Sequence, residues 1–218
     1  MHIDQGEAVG LIGPNGAGKT TAFNLIVGAY QPTSGKVEFQ GQDITGFRPH
    51  QVCRRGIGRT FQVVKPFGNM TVEQNIMVGA FVRTNSPREA RQTAHHIMEK
   101  VGLLPKHNTL AHNLTIPERK RLEMAKALAT KPDLLLLDEV LAGLNPTEIE
   151  EAVKLIKSIN REGITIMMIE HVLQATMAIC SRIVVLDYGK KIAEGNPQEV
   201  TSNPEVIKAY LGDEYDHA

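Results

Sequence analysis

Residues 13–21 hold the densest chemistry in the chain: Gly13, Pro14, Asn15, Gly16, Ala17, Gly18, Lys19, Thr20 and Thr21. The spacing is a glycine, four residues, then Gly-Lys-Thr. Glycines let a backbone curl until several N–H groups point at one anion. Lys19 can reach outer phosphates as a point charge, and the Thr20 hydroxyl can ligate Mg²⁺. Four further polar residues stand at the ends of apolar or alternating runs: Gln62, Asp138, Glu139 and His171. Asp138 can hold Mg²⁺, directly or through water, opposite Thr20. Glu139, the next residue, can take a proton from an attacking water. Gln62 can bridge metal and water without adding charge, and His171 can donate a hydrogen bond to a terminal phosphate. Their conjunction and order are far more specific than any one of them.

Such groups work only if the elements bring them to one place. Residues 8–12 form an apolar run that reads as a buried strand, and 22–27 read as the first turns of a helix. The glycine-rich segment therefore lies between a strand and a helix N-terminus, where the helix dipole favours an anion. Residues 134–137 are four leucines followed by Asp138 and Glu139, the pattern of a buried parallel strand with functional groups at its C-terminal end. Residues 164–169 repeat it and end in Glu170 and His171. The stretch 58–62 reads as a strand delivering Gln62, and 36–39 as a half-exposed strand. Pro49 opens a short helix that stops before Gly56. Thr71 caps a helix from 72 to about 82, and Ser86 caps another that runs to 101. Segment 71–113 is thus a helical insertion, in which His95 and His96 point to different faces and form no metal pair. Helices follow at 117–130, 147–161 and 172–180, a hairpin flanks Tyr188-Gly189, and 204–211 form a last helix. The tail 212–218 is expected to fray. Strands alternating with helices predict an α/β fold with a mainly parallel sheet whose strand ends converge on one edge.

The 218 residues suffice for one large α/β domain, and the formal charge is balanced. Nothing electrostatic argues for a nucleic-acid partner. Cys53 and Cys180, the two cysteines, make neither a disulfide framework nor a metal motif. No apolar run approaches the length of a membrane span.

The order of these motifs resembles the ATP-binding cassette (ABC) family across essentially the whole chain. Residues 13–20 match its Walker A loop, Gln62 its Q-loop and 134–138 its Walker B strand. Glu139 matches its catalytic glutamate, 142–145 its D-loop and His171 its switch histidine. Within that family, Gly58-Arg59-Thr60-Phe61-Gln62, Asn69-Met70-Thr71-Val72, residues 142–146 and residues 203–212 look like the ATPase subunits of branched-chain amino acid importers. The resemblance implies a P-loop NTPase fold with a β-rich N-terminal part and a helical insertion. It divides the single domain 1–218 into a nucleotide-binding core, 1–70 with 114–218, and a helical subdomain, 71–113. It also implies ATP and Mg²⁺ as ligands, and a peripheral place on the cytoplasmic face of the membrane. The implied partners are a second ABC ATPase, separate permease subunits and, indirectly, a substrate-binding protein. The family's further N-terminal strands, with an aromatic that stacks on adenine, would precede Ala8, and this chain starts too late to hold them.

One departure bears on assembly. The family signature is Leu-Ser-Gly-Gly-Gln, whereas here Leu114-Thr115-Ile116-Pro117-Glu118 stands in its place. Thr115 keeps a hydroxyl for the partner's nucleotide, but Pro117 has no N–H to offer. The expectation is a heterodimer with a cassette whose signature is intact. A soluble cassette ATPase without a permease shares every catalytic motif and is the alternative function. A P-loop kinase or GTPase is disfavoured, because no Asn-Lys-x-Asp motif is present and because Asp138 and Glu139 are adjacent. A catalytically dead nucleotide-binding module is disfavoured by Lys19, Asp138, Glu139 and His171.

Overall fold

The computed structural model describes residues 1–211. Six strands form the main sheet: β1 (Ala8–Ile12), β4 (Ile57–Arg59), β5 (Leu134–Asp138), β6 (Thr165–Ile169), β7 (Arg182–Asp187) and β8 (Lys190–Gly195), in the order β4-β5-β6-β1-β7-β8. Neighbours pair in parallel except the β7–β8 hairpin. β2 (Glu38–Phe39) and β3 (Gln42–Asp43) make a separate antiparallel pair. The helices are α1 (Lys19–Ile26), α2 (Pro49–Arg55), α3 (Val72–Ala80), α4 (Pro87–Lys100), α5 (Ile116–Ala129), α6 (Pro146–Arg161), α7 (Leu173–Ile179), α8 (Pro197–Thr201) and α9 (Pro204–Leu211). The arrangement is the α/β fold, mainly parallel, that the alternation predicts.

β1, β5 and β6 are buried along their whole length, as continuous apolar runs with helices on both faces require. On one face Leu135, Leu137, Ile166 and Met168 join a core that includes α3 to α6. On the other, Val9, Leu11, Leu136 and Met167 pack with Phe23 of α1 and Val52 of α2. α5 packs on α3 and α4. α3 comes close enough that a Cβ on Gly79 would overlap the Lys126 carbonyl oxygen of α5.

Three local expectations differ. The strand at 58–62 stops at Arg59: Thr60 still donates its N–H to the Leu136 carbonyl at 2.9 Å, and then the chain leaves the sheet. Phe61 and Gln62 are exposed, so they have no neighbouring strand to bond. The strand at 36–39 keeps only Glu38 and Phe39, because Val37 gives its N–H to the Thr45 side chain at 2.8 Å. The helix α8, capped by Asn196, is too short to register as a period. The tail 212–218 lies outside the described residues.

Candidate active site

β1 runs straight into the glycine-rich loop. Gly13 has φ 149°, and a Cβ there would overlap the Leu186 carbonyl oxygen of β7, so only glycine fits. Gly18 is left-handed at φ 99° and opens α1. The loop is braced from the β7–β8 turn, where Gly189 donates its N–H to the Ala17 carbonyl at 2.9 Å. Lys19 is buried, and its ammonium donates to the carbonyls of Gly13 at 2.7 Å and Pro14 at 2.9 Å. Burial pulls the Lys19 pKa below the ordinary lysine range, and the Glu139 charge opposes that shift. Asn15, Gly16, Thr20 and Thr21 are exposed around it, Pro14 and Gly18 are half-buried, and Ala17 is buried. The loop is a cradle of backbone with one fixed cation and a helix N-terminus behind it.

Glu139 leaves β5 in a left-handed conformation, φ 49°, which turns its side chain out of the sheet. Its carboxylate meets two of the other candidates. Oε2 accepts from Gln62 Nε2 at 2.6 Å, and Oε1 lies 3.0 Å from His171 Nε2. Residues 77 and 32 positions apart in the chain are thus gathered on one carboxylate. The turn beneath is held from two sides. The Lys120 ammonium of α5 donates to the Glu139 carbonyl at 3.3 Å and also to the Ala142 carbonyl. The Leu141 N–H donates to the buried Glu170 carboxylate at 2.8 Å. Burial raises the Glu170 pKa to about 7, against the Leu141 hydrogen bond and the Lys120 charge that lower it.

Asp138 has a partner that motif reading missed. Its Oδ2 accepts from Arg59 Nη2 at 2.8 Å, in a pair whose side chains are 2% and 9% exposed. Arg59 also donates to Asn24 Oδ1 of α1 at 2.6 Å, and its guanidinium lies over the rings of Phe23 and Phe61 at 5.6 and 5.2 Å. The one available signal was an arginine in a strand that pairs with β5, where a buried cation needs a carboxylate. Asp138 Oδ1 is buried with no hydrogen-bond partner. A buried carboxylate oxygen with a free lone pair is a ligand for a hard cation, so this oxygen fits Mg²⁺.

Residues 1–142 match the family profile described as ABC transporter, and residues 190–216 match that of the branched-chain amino acid ATP-binding cassette transporter. The chain belongs to the ATP-binding cassette transporter family. It is an ABC transporter ATPase subunit, and it hydrolyses ATP. Similar proteins include the high-affinity branched-chain amino acid transport ATP-binding protein BraF of Pseudomonas aeruginosa, 39% identical over 98% of this chain and 90% of that one. LivG of Escherichia coli K12, named for the same transport, is 42% identical over 95% and 88%. The lipopolysaccharide export system ATP-binding protein LptB of Acidithiobacillus ferridurans is 36% identical over 99% and 89%. Among solved structures, the ADP conformation of MJ1267, an ATP-binding cassette of an ABC transporter, superposes with TM-score 0.88 at 30% identity, over 98% of this chain and 91% of that one.

In this ABC ATPase the segment 114–118, which resembles the family signature only in part, starts a helix. Thr115 caps α5: its hydroxyl accepts from the Glu118 N–H at 3.5 Å, and its own N–H donates to the Glu118 carboxylate at 2.9 Å. Pro117 lies in the first turn, where a missing N–H costs least. Ile116 is 64% exposed, a large apolar side chain turned to solvent beside the cap.

Proposed function

We propose that this cassette binds ATP in the loop 13–21 and hydrolyses it with Glu139 as general base. The observation that carries the reading is the Glu139 carboxylate held between Gln62 and His171. The loop amides and the Lys19 ammonium receive the phosphates. Gln62 and His171 orient Glu139, and with it the water whose proton Glu139 takes; His171 then faces the terminal phosphate as a donor. Thr20, the free Asp138 oxygen and Gln62 would hold Mg²⁺, and the ion would supply charge neutralisation for the phosphates. Glu139→Gln keeps the shape and removes the base, so turnover is expected to fall by roughly 10²–10⁴ while ATP binding persists. Steady-state phosphate release and a nucleotide titration on the same protein check this; near-normal turnover would sink the assignment.

We further propose that the transported cargo is branched-chain amino acids, taken up through a separate permease supplied by a substrate-binding protein. The match at 190–216 and the likeness to BraF and LivG support it. No helix among the described residues is long and apolar enough to cross a membrane. The likeness to the importer ATPases supports a peripheral place on the cytoplasmic face. The likeness to LptB supports a second reading, lipopolysaccharide export. Co-purification with membrane proteins, then leucine, isoleucine and valine uptake by proteoliposomes, separates them. ATP-dependent leucine uptake is the expected result. No uptake, with lipopolysaccharide extraction instead, favours the second reading, and no membrane partner at all favours a soluble ATPase.

A further inference from the structure

The C-terminal helix touches the phosphate loop at its first residue. α9 docks through Val206, which is buried with Ile12 at the end of β1, Ile183 and Val185 of β7 and Val200 of α8. One helical turn later, the Tyr210 hydroxyl accepts the Gly13 N–H at 2.8 Å, across 197 residues of chain. Gly13 is the hinge between strand and loop, and each of its polar groups is engaged. Its N–H goes to Tyr210, its carbonyl to Lys19, and the Leu186 carbonyl closes off the space where a Cβ would lie. The Gly13 peptide therefore sets both where the loop starts and where the Lys19 ammonium rests.

Packing does not explain the tyrosine. Its side chain is among the exposed large apolar ones, at 49%, so the ring completes no core and phenylalanine would occupy the same space. The hydroxyl is the part with a specific partner. Burial pushes the phenol pKa up, against the lowering effect of the Gly13 N–H, so the group stays neutral and keeps its own proton at physiological pH. The segment carrying it, β8 through α9, falls within the part of the chain that matches the branched-chain transporter profile.

We propose that Tyr210 is a positioning residue for nucleotide binding, whose hydroxyl anchors the Gly13 N–H and so makes docking of α9 a determinant of phosphate-loop affinity. The proposal rests on the reading of 13–21 as the nucleotide site. Tyr210 touches no reacting group, so its effect belongs in ATP binding and not in the chemical step. The bond fixes the Gly13 peptide, and with it the carbonyl that receives the Lys19 ammonium. Without it, the loop must be ordered when the phosphates arrive, and that cost lowers affinity.

The test uses the full chain and Tyr210→Phe, which deletes only the hydroxyl, with Ile207→Ala as a control on the solvent side of the same helix. Four quantities are read: affinity for a fluorescent ATP analogue with Mg²⁺, the KM and kcat for ATP, hydrogen exchange at the Gly13 amide, and the melting temperature. For Tyr210→Phe, Kd and KM are expected to rise about fivefold, the effect of one neutral hydrogen bond. kcat should stay within twofold and Gly13 exchange should accelerate. Ile207→Ala should match the unmodified chain. Unchanged Kd and KM in Tyr210→Phe overturn the proposal, whether or not exchange changes. An equal loss in Ile207→Ala, or a loss that tracks a fall in melting temperature, also overturns it by assigning the effect to helix stability. Failure of the unmodified chain to bind the analogue would instead refute the nucleotide-site reading, and unaltered Gly13 exchange in Tyr210→Phe would then still reject the anchor.

Discussion

Other residues hold both the carboxylate and the backbone of Glu139. The side chain is oriented by Gln62 and His171, while the left-handed turn under it is fixed by Lys120 and, through Leu141, by Glu170. Non-glycine residues in that conformation are uncommon and are kept in place by their surroundings. Glu170 brings a pH dependence with it. In the unfolded chain it ionises in the ordinary carboxylate range, and in the fold it keeps its proton to about 7. Between those values the unfolded chain binds fewer protons than the folded one, so stability falls as pH rises. The loss amounts to at most about 3 kcal/mol. Urea unfolding at pH 5 and pH 7.5 should show that decline in the unmodified protein and a flatter profile in Glu170→Gln, which can still accept the Leu141 N–H. Equal slopes in the two proteins would mean that Glu170 is ionised throughout.

Helix α5 has a wider role than an amphipathic helix usually has. Its start holds Thr115, Ile116 and Pro117, its second turn sends Lys120 to the turn at Glu139, and its far end packs on α3 at Gly79. Gly79 is in an ordinary helical conformation; it is glycine because the Lys126 carbonyl occupies the space of a Cβ. Gly79→Ala gains about 1 kcal/mol of helix propensity. It also forces two backbones apart, and overpacking costs roughly 1–3 kcal/mol. Because the obstacle is backbone and cannot swing away, the upper half of that range applies, and a net loss of about 1–2 kcal/mol is expected in denaturant unfolding. A variant as stable as the parent would show that α3 slides on α5 without strain.

At the scale of the whole molecule, the loop 13–21 and the segment 114–118 together bear on assembly. In the family a signature closes the partner's nucleotide site, and here Ile116 and Pro117 replace the two glycines. Thr115 already gives its hydroxyl lone pair to the Glu118 N–H. A hydrogen bond to a charged group contributes about 1.5–3 kcal/mol, so one lost donor slows the site it closes by about one to two decades. We therefore expect this chain alone to hydrolyse ATP slowly. A mixture with a cassette carrying an intact signature should be about 10- to 100-fold faster. Ile116→Gly/Pro117→Gly should recover part of that rate on its own. Phosphate-release assays on the three samples decide it: a chain as fast alone as in the mixture, with no gain from the glycines, is a homodimer whose Thr115 and helix dipole suffice.

Several features were determined by sequence alone, each for a local reason. A strand-glycine loop-helix order is dictated by backbone freedom and helix capping within a few residues. Four leucines followed by two acids read as a buried strand with functional groups at its end, which places Asp138 and Glu139 at a strand end. Thr71 and Ser86 cap their helices through partners three residues on, so those starts are legible in the sequence; Thr115 and Asn145 do the same for α5 and α6, which begin one residue earlier than the sequence suggests. The tertiary structure alone decided contacts between segments far apart in the chain, which no periodicity encodes. It sent Arg59 to Asp138, ended β4 where the chain leaves β5 after Thr60, brought Lys120 and Glu170 under the turn at Glu139, and joined Tyr210 to Gly13. Each is a polar group whose partner is chosen by which strand ends and helix ends meet, and that choice exists only once the sheet order is set.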